Sequence, residues 1–248
     1  MSPVAVAMRT DGSVAVLTVD GELDAAHETP LRERILKATL DDATAAVIVD
    51  VSGLKVHTES AWSAFMGAYW QVGSVPHIPI ALVCTDRAAR EAITSSGVTH
   101  FIPVYSSEKA ALKALGQNSR RPVRRAEVQL PADLTSLRES RRLVREWLTT
   151  WSQSKLIPVA LVVVNVFVEN VLEHTASVPA VRVEAQGATA TIAVSDASNT
   201  PALRLPSPKK GIDVSGLAIV DALSRAWGST PTSSGKTVWA IIGPENQL

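Results

Sequence analysis

The residues able to take part in chemistry fall in a few short stretches. Thr58 and Ser60 stand at the start of an expected helix over 58–72, just after an apolar run at 45–51 closed by Ser52-Gly53. A hydroxyl in the first turn of a helix lies near unpaired backbone N–H groups and the positive end of the dipole, a setting that stabilises an added phosphate. The same positions also suit a plain helix N-cap, Thr58, and an unregulated first-turn residue, Ser60. Gly216 opens a later helix whose exposed N–H groups would suit an anion. Lys209 and Lys210, just before it, either reach that anion or sit in a solvated loop. Asp196 at a strand end reads as a turn former, and His174 as a helix-end residue rather than a ligand. Cys84 follows the apolar run 78–83 and reads as a buried inert thiol. As the single cysteine it excludes an internal disulfide and a Cys-cluster metal site.

Composition places these residues in ordinary globular surroundings. The chain has 46% hydrophobic residues and 248 positions, enough for two domains with a core each. Its longest apolar run, 156–168, is interrupted by Pro158 and Asn165, so no membrane span is expected. The N-terminus lacks a basic start and a cleavage site, and a cytoplasmic protein is expected. Net charge is zero but unevenly spread. Residues 1–118 hold 9 basic against 13 acidic side chains, leaving 15 against 11 for the remainder. Arg120, Arg121, Arg124 and Arg125 crowd around Pro122 with no interleaved aromatic residue. They read as a solvated linker, and direct nucleic-acid binding is not expected.

Hydrophobic periodicity supplies the scaffold. Strands are expected at 14–19, 45–51, 78–83 and 101–104, and helices at 58–72, 87–95, 108–115 and from Thr29-Pro30 onward. Strands alternating with helices make a compact α/β domain over 1–116. A basic linker over 117–125 follows, then a second domain over 126–248. There, 128–130 reads as a strand and 134–150 as an amphipathic helix with Leu137, Leu143, Val144 and Trp147 on its apolar face. A long buried helix is expected over 156–174, a hairpin around Gln186-Gly187, a loop over 199–213, a helix over 216–227 and a closing strand over 237–242. This order suggests an α/β sandwich with a mixed sheet.

The first domain carries a resemblance. Gly21-Glu-Leu-Asp24, then Val49-Asp-Val-Ser-Gly-Leu54, then a helix start four residues on, resembles an anti-anti-sigma (STAS) domain. In that family a strand ending in Asp-x-Ser-Gly leads to Asp-Ser-Ser-Gly, whose second serine is phosphorylated. The tetrad falls on Thr58, Glu59, Ser60 and Ala61, so Ser60 matches the phosphoacceptor while the other three positions are changed. Glu59 would repel a phosphate or imitate one. Trp62 and Trp70, eight apart on one expected helix, offer either a partner surface or core packing.

The second domain is similar to actinobacterial-type anti-sigma serine kinases of the GHKL ATPase class, whose fold is a Bergerat-type α/β sandwich. The stretch Gly216-Leu-Ala-Ile-Val-Asp-Ala-Leu-Ser-Arg-Ala-Trp-Gly228, followed by Gly235-Lys-Thr-Val-Trp239, carries the resemblance. It implies that Gly216 and Leu217 lie by nucleotide phosphates and that Gly235 and Thr237 begin the last strand of a nucleotide site. The family's Glu-x-x-x-Asn box has its Asn at Asn170, which implies a Mg²⁺ ligand. Its general-base Glu is Val166, which cannot accept a proton, so no catalytic residue is assigned. Asn165 and Glu169 point elsewhere around the helix, and Glu173 would serve only for a differently placed substrate. Asp196 matches the aspartate that holds the adenine amino group. Ser198 and Val214 stand where glycines are usual, which weakens a nucleotide lid.

The resemblances together imply a partner-switching regulator of sigma-factor activity. Its partners would be a sigma factor, an anti-sigma factor or a STAS protein, with ATP and Mg²⁺ as possible cofactors. The opposite charges of the two halves also allow intramolecular docking. An active serine kinase acting on Ser60 or on a separate STAS protein is the second reading, and a ligand-sensing STAS module the third.

Overall fold

The computed structural model describes residues 4–57, 59–72, 78–118, 123–200, 202 and 216–246. They divide into two compact units, residues 1–120 and 121–248. Thr58, Arg120, Arg121, Lys209, Lys210, Val214 and Ser215 lie outside the described residues.

The first unit contains β1 (Ala5–Asp11), β2 (Val14–Leu23), α1 (Ala25–Thr39), β3 (Ala46–Val56), α2 (Ser63–Gln71), β4 (Ile80–Val83), α3 (Arg87–Ser95), β5 (Val104–Tyr105) and α4 (Glu108–Asn118). Its sheet has the order β1-β2-β3-β4-β5. The β1–β2 pair is antiparallel and the remaining pairs are parallel. Parallel strands need covering on both faces, so β3 and β4 are near-continuous apolar runs rather than alternating ones. Val47, Ile48, Val49, Leu82 and Val83 are all at most 2% exposed.

Three local differences from the periodic reading have clear causes. β1 was not expected, because its side chains are mostly exposed and carry no alternation; Asp11-Gly12, with Gly12 at φ +59°, turns it into β2. β2 does not end at Asp20-Gly21 but continues to Leu23, with Gly21 at φ +113° and a register shift between Thr18 and Asp20. α1 starts at Ala25 rather than at Thr29-Pro30. Asp24 Oδ1 accepts from Ala26 N at 2.9 Å and His27 N at 3.1 Å, and two satisfied helix-start donors outweigh the missing N–H of Pro30 inside the helix.

The second unit contains β6 (Arg124–Gln129), α5 (Thr135–Thr150), α6 (Ile157–His174), β7 (Ala180–Gln186), β8 (Thr189–Asp196), α7 (Gly216–Leu223), β9 (Ala226–Thr232) and β10 (Gly235–Ile242). The sheet order is β6-β7-β8-β10-β9, and every pairing is antiparallel. The expected mixed sheet is therefore corrected to an antiparallel one. The expected helix over 216–227 ends at Leu223, and Ala226 opens β9. Arg225 N donates to Ile241 O at 2.8 Å, which starts the chain back along β10. Gly116 to Asn118 extend α4, and Arg124 and Arg125 open β6, so two of the four clustered arginines sit in a strand.

α6 is rich in valine, a poor helix former by itself. Burial overrides that preference. Val159, Val163, Val164, Phe167, Val168 and Val171 are at most 2% exposed, in one core with Val181, Val183, Ile192, Val194, Val238 and Ala240 of the sheet. The helical stretch Ser154–His174 is long and apolar enough to cross a membrane by length and composition, and half of its most apolar window is buried inside the protein. α5 lies against the same core through Val144 and Leu148, with Leu137, Leu143 and Trp147 partly buried beside them.

Candidate functional site

The candidate phosphoacceptor stretch follows β3. Ser52 N donates to Asp50 Oδ1 at 2.9 Å, and Thr85 N donates to Ser52 Oγ at 3.0 Å, which ties the interior of β3 to the segment just after β4. The backbone of Ser60 lies in a 3-10 turn, Glu59–Trp62, and α2 proper starts at Ser63. The expected helix from 58 is thus a tight turn joined to a shorter helix. At the first position of α2, Ser63 Oγ donates to Glu28 Oε2 of α1 at 3.2 Å. Burial raises the Glu28 carboxyl above its ordinary value, more than the Ser63 bond and the Arg32 charge lower it. Glu28 and Ser63 were not singled out from the sequence, because residues 35 positions apart give no spacing signal. Trp62 and Trp70 are both buried, at 5% and 7% exposure. Trp62 stacks 5.5 Å from Phe65, and Trp70 meets Phe101 edge-on at 5.0 Å. Both indoles are packed residues here.

Cys84 is buried, and burial raises its thiol above the ordinary range. A protonated, inaccessible thiol is a poor nucleophile.

In the second unit, α6 and α7 bring Val166, Asn170 and Gly216 to one side of the sheet. α7 packs on the core through Leu217 and Val220. A Cβ built at Gly216 would lie 2.7 Å from Val166 Cγ1, so the backbone that opens α7 rests directly on the Val166 methyls. Asn170 is one helical turn beyond Val166 on the same face and is half-buried. Asn165 accepts a hydrogen bond from Arg141 Nη1 of α5, which holds it on another side of the helix. Glu173 and His174 are exposed at the end of α6, with side chains 71% and 68% accessible.

Asp196, the last residue of β8, faces the helices along with Val194 and Ile192. Directly across the register stands Lys236 of β10. Lys236 Nζ donates to Asp196 Oδ1 at 2.9 Å, and the two side chains are only 5% and 0% exposed. Ser198 N donates to the same oxygen at 2.7 Å, closing a tight turn after the strand. Asp196 Oδ2 has no partner among the described residues. Gly235 has φ +147°, and a Cβ there would fall 2.0 Å from the carbonyl oxygen of Asp196. Only glycine allows β10 to approach the end of β8 this closely.

Thr237 has the opposite orientation. Its hydroxyl is 2.8 Å from that of Ser195, its cross-strand neighbour. Strand alternation puts this pair on the sheet face away from Lys236 and Val238. The fold therefore gathers Asn170, Asp196, Gly216 and Leu217 on the helix side of the sheet and leaves the Thr237 side chain on the other. Lys236 was missed in the sequence; it is flanked by two residues that matter, but only the strand register reveals its partner.

The comparisons with known proteins bear on the first unit. The family model of the STAS domain matches residues 5–111, and a STAS domain accordingly occupies that unit. No curated protein matches the chain. Among solved structures, an anti-sigma factor antagonist from Mycobacterium paratuberculosis is 21% identical with a TM-score of 0.40, covering 46% of this chain and 94% of its own. The phosphorylated form of the Bacillus cell fate determinant SpoIIAA is 19% identical with a TM-score of 0.34, covering 45% and 99%. An anti-sigma-factor antagonist (STAS) domain protein from Planctomyces limnophilus is 18% identical with a TM-score of 0.38, covering 46% and 98%.

Proposed function

We propose that this protein is a bacterial partner-switching regulator that acts on sigma-factor activity by binding other proteins, with a second unit derived from a GHKL-type serine kinase that no longer transfers phosphate. The observation that carries the reading is the STAS domain match over residues 5–111. The partners it fits are a sigma factor, an anti-sigma factor or another STAS protein.

Two features of the second unit favour binding over catalysis. A general base for a serine hydroxyl must present a proton acceptor within hydrogen-bond reach. At the position where the kinase resemblance would put it stands Val166, whose methyls are in contact with the start of α7. The carboxylate that would receive an adenine amino group, Asp196, is already bonded to Lys236 and Ser198. Asn170 fits a Mg²⁺ ligand by residue type, and ATP with Mg²⁺ would supply phosphate charge to the Gly216 and Leu217 backbone. The chain's own residues offer that nucleotide weak support.

Size-exclusion chromatography of the intact protein with purified sigma factors and anti-sigma factors from the same genome tests the reading. Co-migration with one of them is expected. Separate migration from all of them, together with phosphate appearing on Ser60 after incubation with Mg-ATP, would favour an active serine kinase instead.

A further inference from the structure

We propose that Lys236 is a built-in partner of the Asp196 carboxylate, and that its ammonium keeps purine nucleotides out of the second unit. The inference rests on the reading that this unit derives from a nucleotide-binding domain, and it names the residue that sets the loss of binding.

The argument starts from the pair's location. Asp196 and Lys236 are direct cross-strand partners at the ends of β8 and β10, and both side chains turn toward the helices. A lysine in that position would normally extend to water. Here it is drawn inward, and the carboxylate it meets has no exposed side-chain surface. Burying a charge is costly unless the charge is paired and hydrogen-bonded, so each of these two groups requires the other. The close approach is built into the backbone. Gly235, immediately before Lys236, lets β10 come within a Cβ clash of the Asp196 carbonyl.

A ligand recognised at Asp196 must offer an N–H donor, as the exocyclic amine of a purine does. Oδ1 already accepts two hydrogen bonds, from Lys236 Nζ at 2.9 Å and from Ser198 N at 2.7 Å. Oδ2 has no described partner but is equally buried. An incoming amine would have to displace the lysine or share a carboxylate whose charge is already neutralised at close range. Displacement leaves a buried ammonium without its counter-ion, and sharing gives a weaker hydrogen bond than a free carboxylate would. Either route disfavours a neutral amino donor. Removing the ammonium while keeping the carboxylate should therefore free Asp196 to accept such a donor.

The test is calorimetric titration of the intact protein and of Lys236→Met with Mg-ATP, with circular dichroism melting of each to establish folding. The wild type is expected to give no saturable heat into the millimolar range, and Lys236→Met to bind about ten-fold or more tightly than the wild type. The gain should disappear in Lys236→Met/Asp196→Asn, where the acceptor carboxylate is gone. If Lys236→Met does not fold, Lys236→Gln keeps a donor for Asp196 without the charge and serves in its place. Micromolar binding by the wild type overturns the proposal, and so does a folded variant that binds no more tightly than the wild type. Partner binding by the same wild-type preparation separates the two levels. If partner binding persists without a nucleotide gain in the variant, the role of Lys236 falls and the regulatory reading stands. If no sigma factor, anti-sigma factor or STAS protein binds, the regulatory reading itself falls.

Discussion

Gly216 of α7 rests against Val166 of α6, with a Cβ at Gly216 placed 2.7 Å from Val166 Cγ1. This contact joins two residues that lie far apart in the sequence and seats the start of α7 on α6. The start of α7 packs directly on the Val166 methyls, the position at which the proposed kinase likeness would call for a base. Val166 is 9% exposed and belongs to the same core as Leu217 and Val220. The arrangement works as packing.

Gly216→Ala should consequently destabilise the second unit by about 1–3 kcal/mol, the usual cost of adding a methyl to a filled site. The expected signature is coupling. In Val166→Ala/Gly216→Ala the new methyl finds the space vacated by valine, and the loss should be less than the sum of the two single losses. Urea unfolding of the four proteins measures it; strict additivity would show that the two residues do not touch.

Gly235→Ala should be more severe than Gly216→Ala. The side chain would be forced onto a backbone carbonyl, at a φ that L-residues rarely adopt. A carbonyl fixed in a β-ladder cannot swing aside as a side chain can. A loss of about 3 kcal/mol or more, or failure to fold, is expected. A melting temperature within a few degrees of the wild type would contradict the tight approach of β10 to Asp196.

The chain end supplies a pH test. Arg225 donates to both oxygens of Glu245, and its hydrogen bond is the main cause that holds the Glu245 carboxyl down to about 2 from an ordinary value of 4.5. A folded-state pKa below the unfolded one contributes stability that is present above the unfolded value and lost as pH falls through the folded one. Glu245→Gln should therefore lower the melting temperature slightly at neutral pH, and the difference from wild type should shrink between pH 4.5 and 2. The pair is solvent-exposed, so the effect should also diminish in high salt. A difference that grows on acidification would contradict the ion pair.

Much of the scaffold was legible because burial leaves a periodic trace. The alternation of β3, α2, β4 and α3 followed from apolar runs punctuated by Ser52-Gly53, whereas the strand expected over 101–104 forms only at Val104–Tyr105. The hairpin of β7 and β8 followed from Gln186-Gly187. What escaped was set by specific pairing. β1 has exposed side chains and is held by its ladder to β2, so hydrophobicity gave no sign of it, although Asp11-Gly12 is a hairpin signal. β9 begins with Ala226-Trp227-Gly228 on the end of a helical pattern, and only its pairing with β10 makes it a strand. At the candidate site, it was the resemblance to a kinase box ending at Asn170 that drew attention to Val166. The contact that fills that place required the fold. The Lys236–Asp196 pair was hidden for the same reason, since 40 residues separate its members in the chain. Thr237 shows the converse: a motif position selected by order along the chain, whose side chain the strand pleat turns to the other face.

The central claim is that the intact protein regulates by binding a protein partner without transferring phosphate. Its most direct test is interferometry of the immobilised full-length chain against purified sigma and anti-sigma factors of the same genome, with and without Mg-ATP, followed by analysis of Ser60 for phosphate. Saturable binding of one partner, unchanged by Mg-ATP and without phosphate on Ser60, is the predicted result. Binding that requires Mg-ATP, or phosphate on Ser60 that disappears in Ser60→Ala, would contradict it.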